Sequence, residues 1–279
     1  MKKVIIFLIL LSIKLFGAIN ASTTRLYEKR EIVGGRTQNL VIVTSKVNLT
    51  GLGGLTKLSY DFGRLAEGRF IDVKNNYHTE SLRVKKMEIN SSMGNVDEEK
   101  KEITGFGSGN LDLSVVTIVE VRADQSLSGL YRSPNLSLNI TGHKNNYNEK
   151  VKIDIDLEIN VLKSLKIKTI PMNFGVGIQG QKMSTVNSTH GILDVEGEKD
   201  KNIIVSYPKE VEIQNSSGEG VLKVLITTPG LEPVGGDDHR GRIGSNGRSE
   251  IIFRGDINDT KNAPSGKYSG DLTIKVRYD

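Results

Sequence analysis

The 279-residue sequence has no cysteine and no tryptophan, only 5% aromatic residues, six prolines, and no long apolar run beyond its first stretch. Without cysteine no disulfide can staple the fold, and thiol catalysis and cysteine-based metal sites are excluded. Hydrophobic packing has to carry stability alone. Without tryptophan, and with few other rings, the flat platform on which a sugar stacks is scarce. No later segment is apolar for the roughly 20 residues a membrane-spanning helix needs, and none keeps a helical period for three or four turns.

What the sequence does have begins with residues 1–21, which read as a signal peptide. Lys2 and Lys3 form a basic start, Val4–Ile13 is apolar apart from Ser12, and Ala21 is a cleavage candidate. The chain is therefore expected to be exported, first to the periplasm and then to the cell surface or a fimbrium, with no transmembrane segment once the leader is removed. Of 38 basic residues, Lys2, Lys3 and Lys14 belong to or flank the leader, leaving 35 against 33 acids, a net charge of about +2 rather than the formal +5. The remaining basic residues are dispersed along the chain. Nucleic-acid binding, which needs a basic patch, is excluded on that ground.

The remainder reads as β throughout. In Lys150–Val161 the residues Val151, Ile153, Ile155, Leu157, Ile159 and Val161 alternate with Lys152, Asp154, Asp156, Glu158 and Asn160. Leu272, Ile274, Val276 and Tyr278 alternate with Thr273, Lys275 and Arg277. A two-residue period is the mark of a half-buried strand. Glycine- and asparagine-rich turns separate about ten such runs, which predicts antiparallel sandwiches rather than βαβ units.

Four phrases recur in the same order. Tyr60–Gly63 echoes Met172–Gly175, Lys86–Ser92 echoes Glu210–Ser217, and Val121–Ala123 echoes Phe253–Gly255. Gly129-Leu-Tyr131 with Leu136, Leu138 and Ile140 echoes Gly266-Lys-Tyr268 with Leu272, Ile274 and Val276. The expected organisation is an all-β chain: a signal peptide at 1–21, a flexible segment at 22–31, and two tandem antiparallel immunoglobulin-like sandwiches at 32–162 and 163–279.

Motifs for chemistry are sparse. His78, His143, His190 and His239 are widely spaced in polar or turn contexts and read as solvated loop residues. Asp237, Asp238 and His239, in the glycine-rich stretch 235–247, are the candidates for a cation, but they lack the regular acidic spacing of a calcium loop, and Arg242 and Arg248 lie nearby. A surface loop is the default reading. Gly105–Gly109 has the wrong spacing for a dinucleotide fingerprint. No enzyme activity and no cofactor are expected.

The terminal alternation, with Tyr278 second from the end and Gly266 fourteenth from the end, resembles the C-terminal motif of bacterial chaperone–usher fimbrial subunits. The phrase from Gly266 to Val276 is also similar to the end of spore coat protein U-like domains and of related secreted pilin-like domains. The resemblance implies a sandwich lacking one strand. A periplasmic chaperone would fill its open groove, and a neighbouring subunit would later do so, with an usher as a third partner. Gly266, Tyr268, Leu272, Ile274, Val276 and Tyr278 would then form the complementation site. Val41, Val43, Val47 and Leu49 read either as a donor strand for a neighbour or as the first strand of the first sandwich. Lys150–Val161 could fill a gap in cis. Two functions follow as expectations: a non-catalytic fimbrial structural or adhesive subunit, or a self-contained secreted sandwich that recognises a sugar or protein through loops.

Overall fold

In a computed structural model the described residues are 18–279, apart from 36–38, 64–67, 123–126 and 145–147. Most of the expected leader, 1–17, lies outside them. The chain divides into two compact units at Leu162/Lys163. Both are all-β, and among the described residues the sole helical turn is a 3-10 turn at Thr185–Asn187.

Unit 1 comprises β1 (Asn20–Ala21), β2 (Arg25–Val33), β3 (Asn39–Thr50), β4 (Lys57–Phe62), β5 (Arg69–Asp72), β6 (Tyr77–Ser91), β7 (Asn95–Asp97), β8 (Glu102–Thr104), β9 (Leu111–Val121), β10 (Gly129–Arg132), β11 (Leu136–His143) and β12 (Asn148–Leu162). Unit 2 comprises β13 (Lys166–Ile170), β14 (Met183–Ser184), β15 (Gly191–Glu196), β16 (Asn202–Ser206), β17 (Glu210–Asn215), β18 (Val221–Thr227), β19 (Glu232–Gly235), β20 (Asp238–Arg242), β21 (Arg248–Ile257), β22 (Tyr268–Ser269) and β23 (Lys275–Tyr278).

The two units repeat one strand path. Unit 1 runs β1-β3-β9-β6-β5-β10, and unit 2 runs β13-β15-β21-β18-β17-β22. In unit 1 the sheet then continues. β12 pairs with β10 through Glu158–Val161 and with β11 through Asn148–Ile155, and β11 pairs with β4. In unit 2 the corresponding partners are present, β22 on β17 and β23 on β16, but no strand among the described residues bridges β22 and β23. The path explains which recurring phrases coincide. Val121 and Phe253 lie in the equivalent strands β9 and β21, and the two Gly-X-Tyr phrases lead into equivalent strand pairs. By contrast, Tyr60–Asp61–Phe62 lies in β4 whereas Met172–Gly175 lies outside the named strands, and β6 occupies the place of β18 rather than β17.

The inward-facing row of β9 (Leu111, Leu113, Val115, Thr117, Val119) is buried at the centre of unit 1. Val43, Val47 and Leu49 of β3 join it, while Val41 is half-buried, and β3 pairs with β9 from Asn39 to Leu49. As a donor strand this segment is therefore corrected: its apolar row is already spent in the core of unit 1. The expected flexible segment 22–31 is also corrected, because most of it is β2, which runs parallel to β12. Leu26 is its buried residue, with Ile32 half-buried. A polar ladder on the outer face does the rest. Lys29 Nζ lies 3.0 Å from Glu158 Oε1, Arg25 pairs with Asp156, and Asn160 Nδ2 donates to Glu31 Oε2 at 2.8 Å. Residues 18–21, assigned to the leader from sequence, are built into unit 1. Ile19 is buried and donates its N–H to Glu149 Oε2 at 2.7 Å, and Asn20 and Ala21 pair with Thr50 and Leu49.

Candidate functional site: an open slot in the second unit

One wall of the slot is the stretch after β13. Pro171 supplies no N–H, so the β13 ladder stops at Ile170. The chain then continues without strand pairing except at Asn173, which exchanges backbone hydrogen bonds with Thr189 at 2.8 and 3.1 Å. Asn173 Oδ1 accepts from the Gly175 N–H at 2.8 Å, closing a local turn in which Gly175 takes a φ of +72°. Beyond it Val176 is fully exposed and Ile178 is 67% exposed.

The opposite wall is 264–278. Gly266 adopts a φ of +150°, and a Cβ there would lie 2.7 Å from both side-chain polar atoms of Asn215. Asn215 is buried and holds the corner: its Oδ1 accepts from the N–H and the hydroxyl of Ser217, each at 3.0 Å. Tyr268 Oη donates to the Pro264 carbonyl at 2.9 Å, fixing the ring at the same corner. From Asp271 onward the side chains alternate. Leu272, Ile274, Val276 and Tyr278 are half-buried against the core of unit 2, and Asp271, Thr273, Lys275, Arg277 and Asp279 are exposed. β23 is hydrogen-bonded along one edge, to β16.

Between the walls lies a groove of about 620 Å³ floored by Phe174, Val211, Ile213 and Leu272, adjoining a second of about 430 Å³ that shares Met172, Phe174, Ile213 and Tyr268. The difference from unit 1 is plain in burial. Leu136, Leu138 and Ile140, beside β12, are 2%, 0% and 0% exposed, while Leu272, Ile274 and Val276 remain only partly covered. The slot thus occupies the place that β12 fills in unit 1. It offers an unpaired backbone edge and an apolar floor, with Tyr268 and Asp271 among its polar lining.

The candidate cation residues lie elsewhere and do not converge. The stretch 235–247 is largely a hairpin arm rather than a free loop, with β20 paired to both β19 and β16. Asp238 Oδ2 accepts from Arg277 at 2.8 Å, and its other oxygen accepts from Ser206 at 2.5 Å. The Arg277 hydrogen bond, with that of Ser206, holds the Asp238 carboxyl below the usual aspartate range. His239 is buried and stacks on Tyr207 with ring centroids 4.5 Å apart. Among the described residues there is no group of metal-ligating side chains. Three of the histidines are therefore not loop residues: His78 is in β6, His239 is in β20, and His143, in β11, meets Ser59 Oγ at 2.5 Å through Nε2. What sequence reasoning missed is the far wall, Met172–Gly180, whose glycines carried no strand signal.

No protein-family model and no curated protein matches the sequence. Among solved structures, the chain is similar to the chaperone-bound tip adhesion subunit CsuE of the archaic chaperone–usher Csu pili of Acinetobacter baumannii, with 14% identity, 93% of this chain and 99% of that chain covered, and a TM-score of 0.36. It is similar to CfaE, the adhesive subunit of CFA/I fimbria of enterotoxigenic Escherichia coli, with 10% identity, 91% and 93% covered, and a TM-score of 0.31. It is also similar to the CupB6 tip adhesin of Pseudomonas aeruginosa, with 8% identity, 93% and 95% covered, and a TM-score of 0.27.

Proposed function

We propose that the chain is a non-catalytic, exported adhesive subunit of a fimbrium-like assembly, and that unit 2 takes up a β-strand from a partner chain. The observation that carries this is the shared strand path, with β12 present in one unit and its place open in the other. An inserted strand would pair with the free edge of 271–278 and cover Leu272, Ile274 and Val276. These side chains are already half-buried, so covering each contributes part of the about 1.5–3 kcal/mol that full burial from water gives, and the backbone ladder adds register. A periplasmic chaperone and a neighbouring subunit are the partners this mode calls for, with an usher for export to the surface. Unit 1 would be the adhesive module. Its N-terminal strands β1, β2 and β3 are engaged in its own sheet.

Because the chain has no cysteine, a single Thr273→Cys places a unique thiol on the outward face beside the free edge. Cross-linking in cells that make the native assembly should join it to a partner strand. Surface display of the chain with no cross-linked partner at this position would contradict the proposal.

A further inference from the structure

We infer that the strand taken up by the slot is acidic on its outward face where it meets Lys275 and Arg277. This rests on the strand-uptake reading above and specifies its partner. Unit 1 supplies the template. Opposite Ile140, Leu138 and Leu136 of β11, β12 places Val151, Ile153 and Ile155, and the intervening pairs set Lys150 against Thr141, Lys152 against Asn139 and Asp154 against Ser137. The β11 side of that outward row is neutral, so it tolerates lysines.

Unit 2 differs at those positions. The Gly-X-Tyr phrase and the three alternating apolar residues align Leu272, Ile274 and Val276 on Leu136, Leu138 and Ile140. On this alignment Lys275 stands in the place of Asn139 and Arg277 in the place of Thr141. A strand with the charges of β12 would set Lys152 against Lys275 and Lys150 against Arg277. Like charges directly opposite one another destabilise a sheet, and opposite charges stabilise it. Arg277 already pairs with Asp238 at 2.8 Å and Asp279 with Arg240, but Lys275 has no ion pair among the described residues. Where the inserted strand would begin, Lys275 is therefore a local surplus of positive charge. That surplus favours a partner with aspartate or glutamate at the start of an antiparallel strand. It also disfavours capture of β12 from a second copy of this chain.

The test uses the purified exported chain and two fourteen-residue peptides, one copying residues 149–162 and one copying them with Lys150→Glu and Lys152→Glu. The acidic peptide should bind about tenfold more tightly, two cross-strand pairs having changed sign, and the preference should shrink with added salt. In the Lys275→Glu chain the preference should fall or invert. Equal affinities, or tighter binding of the unmodified copy, would overturn the charge rule and leave strand uptake standing. Binding of neither peptide would remove strand uptake itself and the charge rule with it.

Discussion

The hydroxyl of Tyr278 donates a 2.6 Å hydrogen bond to the carbonyl of Lys163 and accepts one of 2.8 Å from the N–H of Glu198. The last strand of unit 2 is thereby tied to the first residue of that unit. A tyrosine suits the position because its ring packs on the core while its hydroxyl reaches a backbone carbonyl at the rim. Tyr278→Phe keeps the ring and removes both bonds. Unit 2 should lose about 1–3 kcal/mol, seen as an earlier urea transition for unit 2 with that of unit 1 unmoved.

Gly266→Ala tests the corner that launches the terminal strand. The φ of +150° disfavours any side chain, and the added methyl would press on Asn215. A cost of about 1–3 kcal/mol is expected from the backbone conformation. Chemical-shift mapping should show the disturbance spreading through Asn215 to Ser217, whereas Gly53→Ala, in open space, should leave the structure of unit 1 unchanged.

The β2–β12 ladder should be acid-sensitive. The hydrogen bond from Lys29, with the charges of Lys29 and Arg132, holds the Glu158 carboxyl below the ordinary glutamate range. A group whose folded value is lowered contributes fully above its unfolded value and loses that contribution as the pH falls through the folded one. Exchange of the β2 amides should therefore speed up as the pH drops below the glutamate range, after correction for intrinsic rates. Glu158→Gln should make the β2 amides fast-exchanging already at neutral pH and flatten the acid response.

Ile274→Asp puts a charge on the floor of the slot, on a half-buried side chain that an inserted strand would cover. Binding of a complementary strand should weaken at least several-fold, since the remaining burial of a half-buried side chain is worth part of about 1.5–3 kcal/mol and a charge covered without a partner costs more. Thr273→Ala, facing outward, should change it little. Titration with a labelled peptide distinguishes the two.

Much of this was legible in the sequence because burial imposes a period. Leu272–Tyr278 and Val151–Val161 alternate because one face of each meets a core, and the Gly-X-Tyr phrases mark the same corner twice. β2 was not legible: its partners are charges on β12, more than 120 residues away in sequence, as in the Arg25–Asp156 pair, and Leu26 alone is fully buried on its inward side. β3 was ambiguous since an apolar alternation looks the same whether it fills its own core or a neighbour's. The pairing of Asp238 with Arg277 was hidden for the same reason as β2. Short-range spacing does not reveal which strand lies alongside.

Amide hydrogen exchange across residues 271–278 of the purified chain, with and without a complementary peptide of alternating apolar residues, tests the central claim most directly. Alone, the amides of this stretch that point into the slot should exchange fast while those bonded to β16 exchange slowly. With peptide, the fast set should become protected and the unfolding temperature of unit 2 should rise. Full protection of the whole stretch in the isolated monomer, with no response to any added strand, would show that the edge is already closed and would contradict the account.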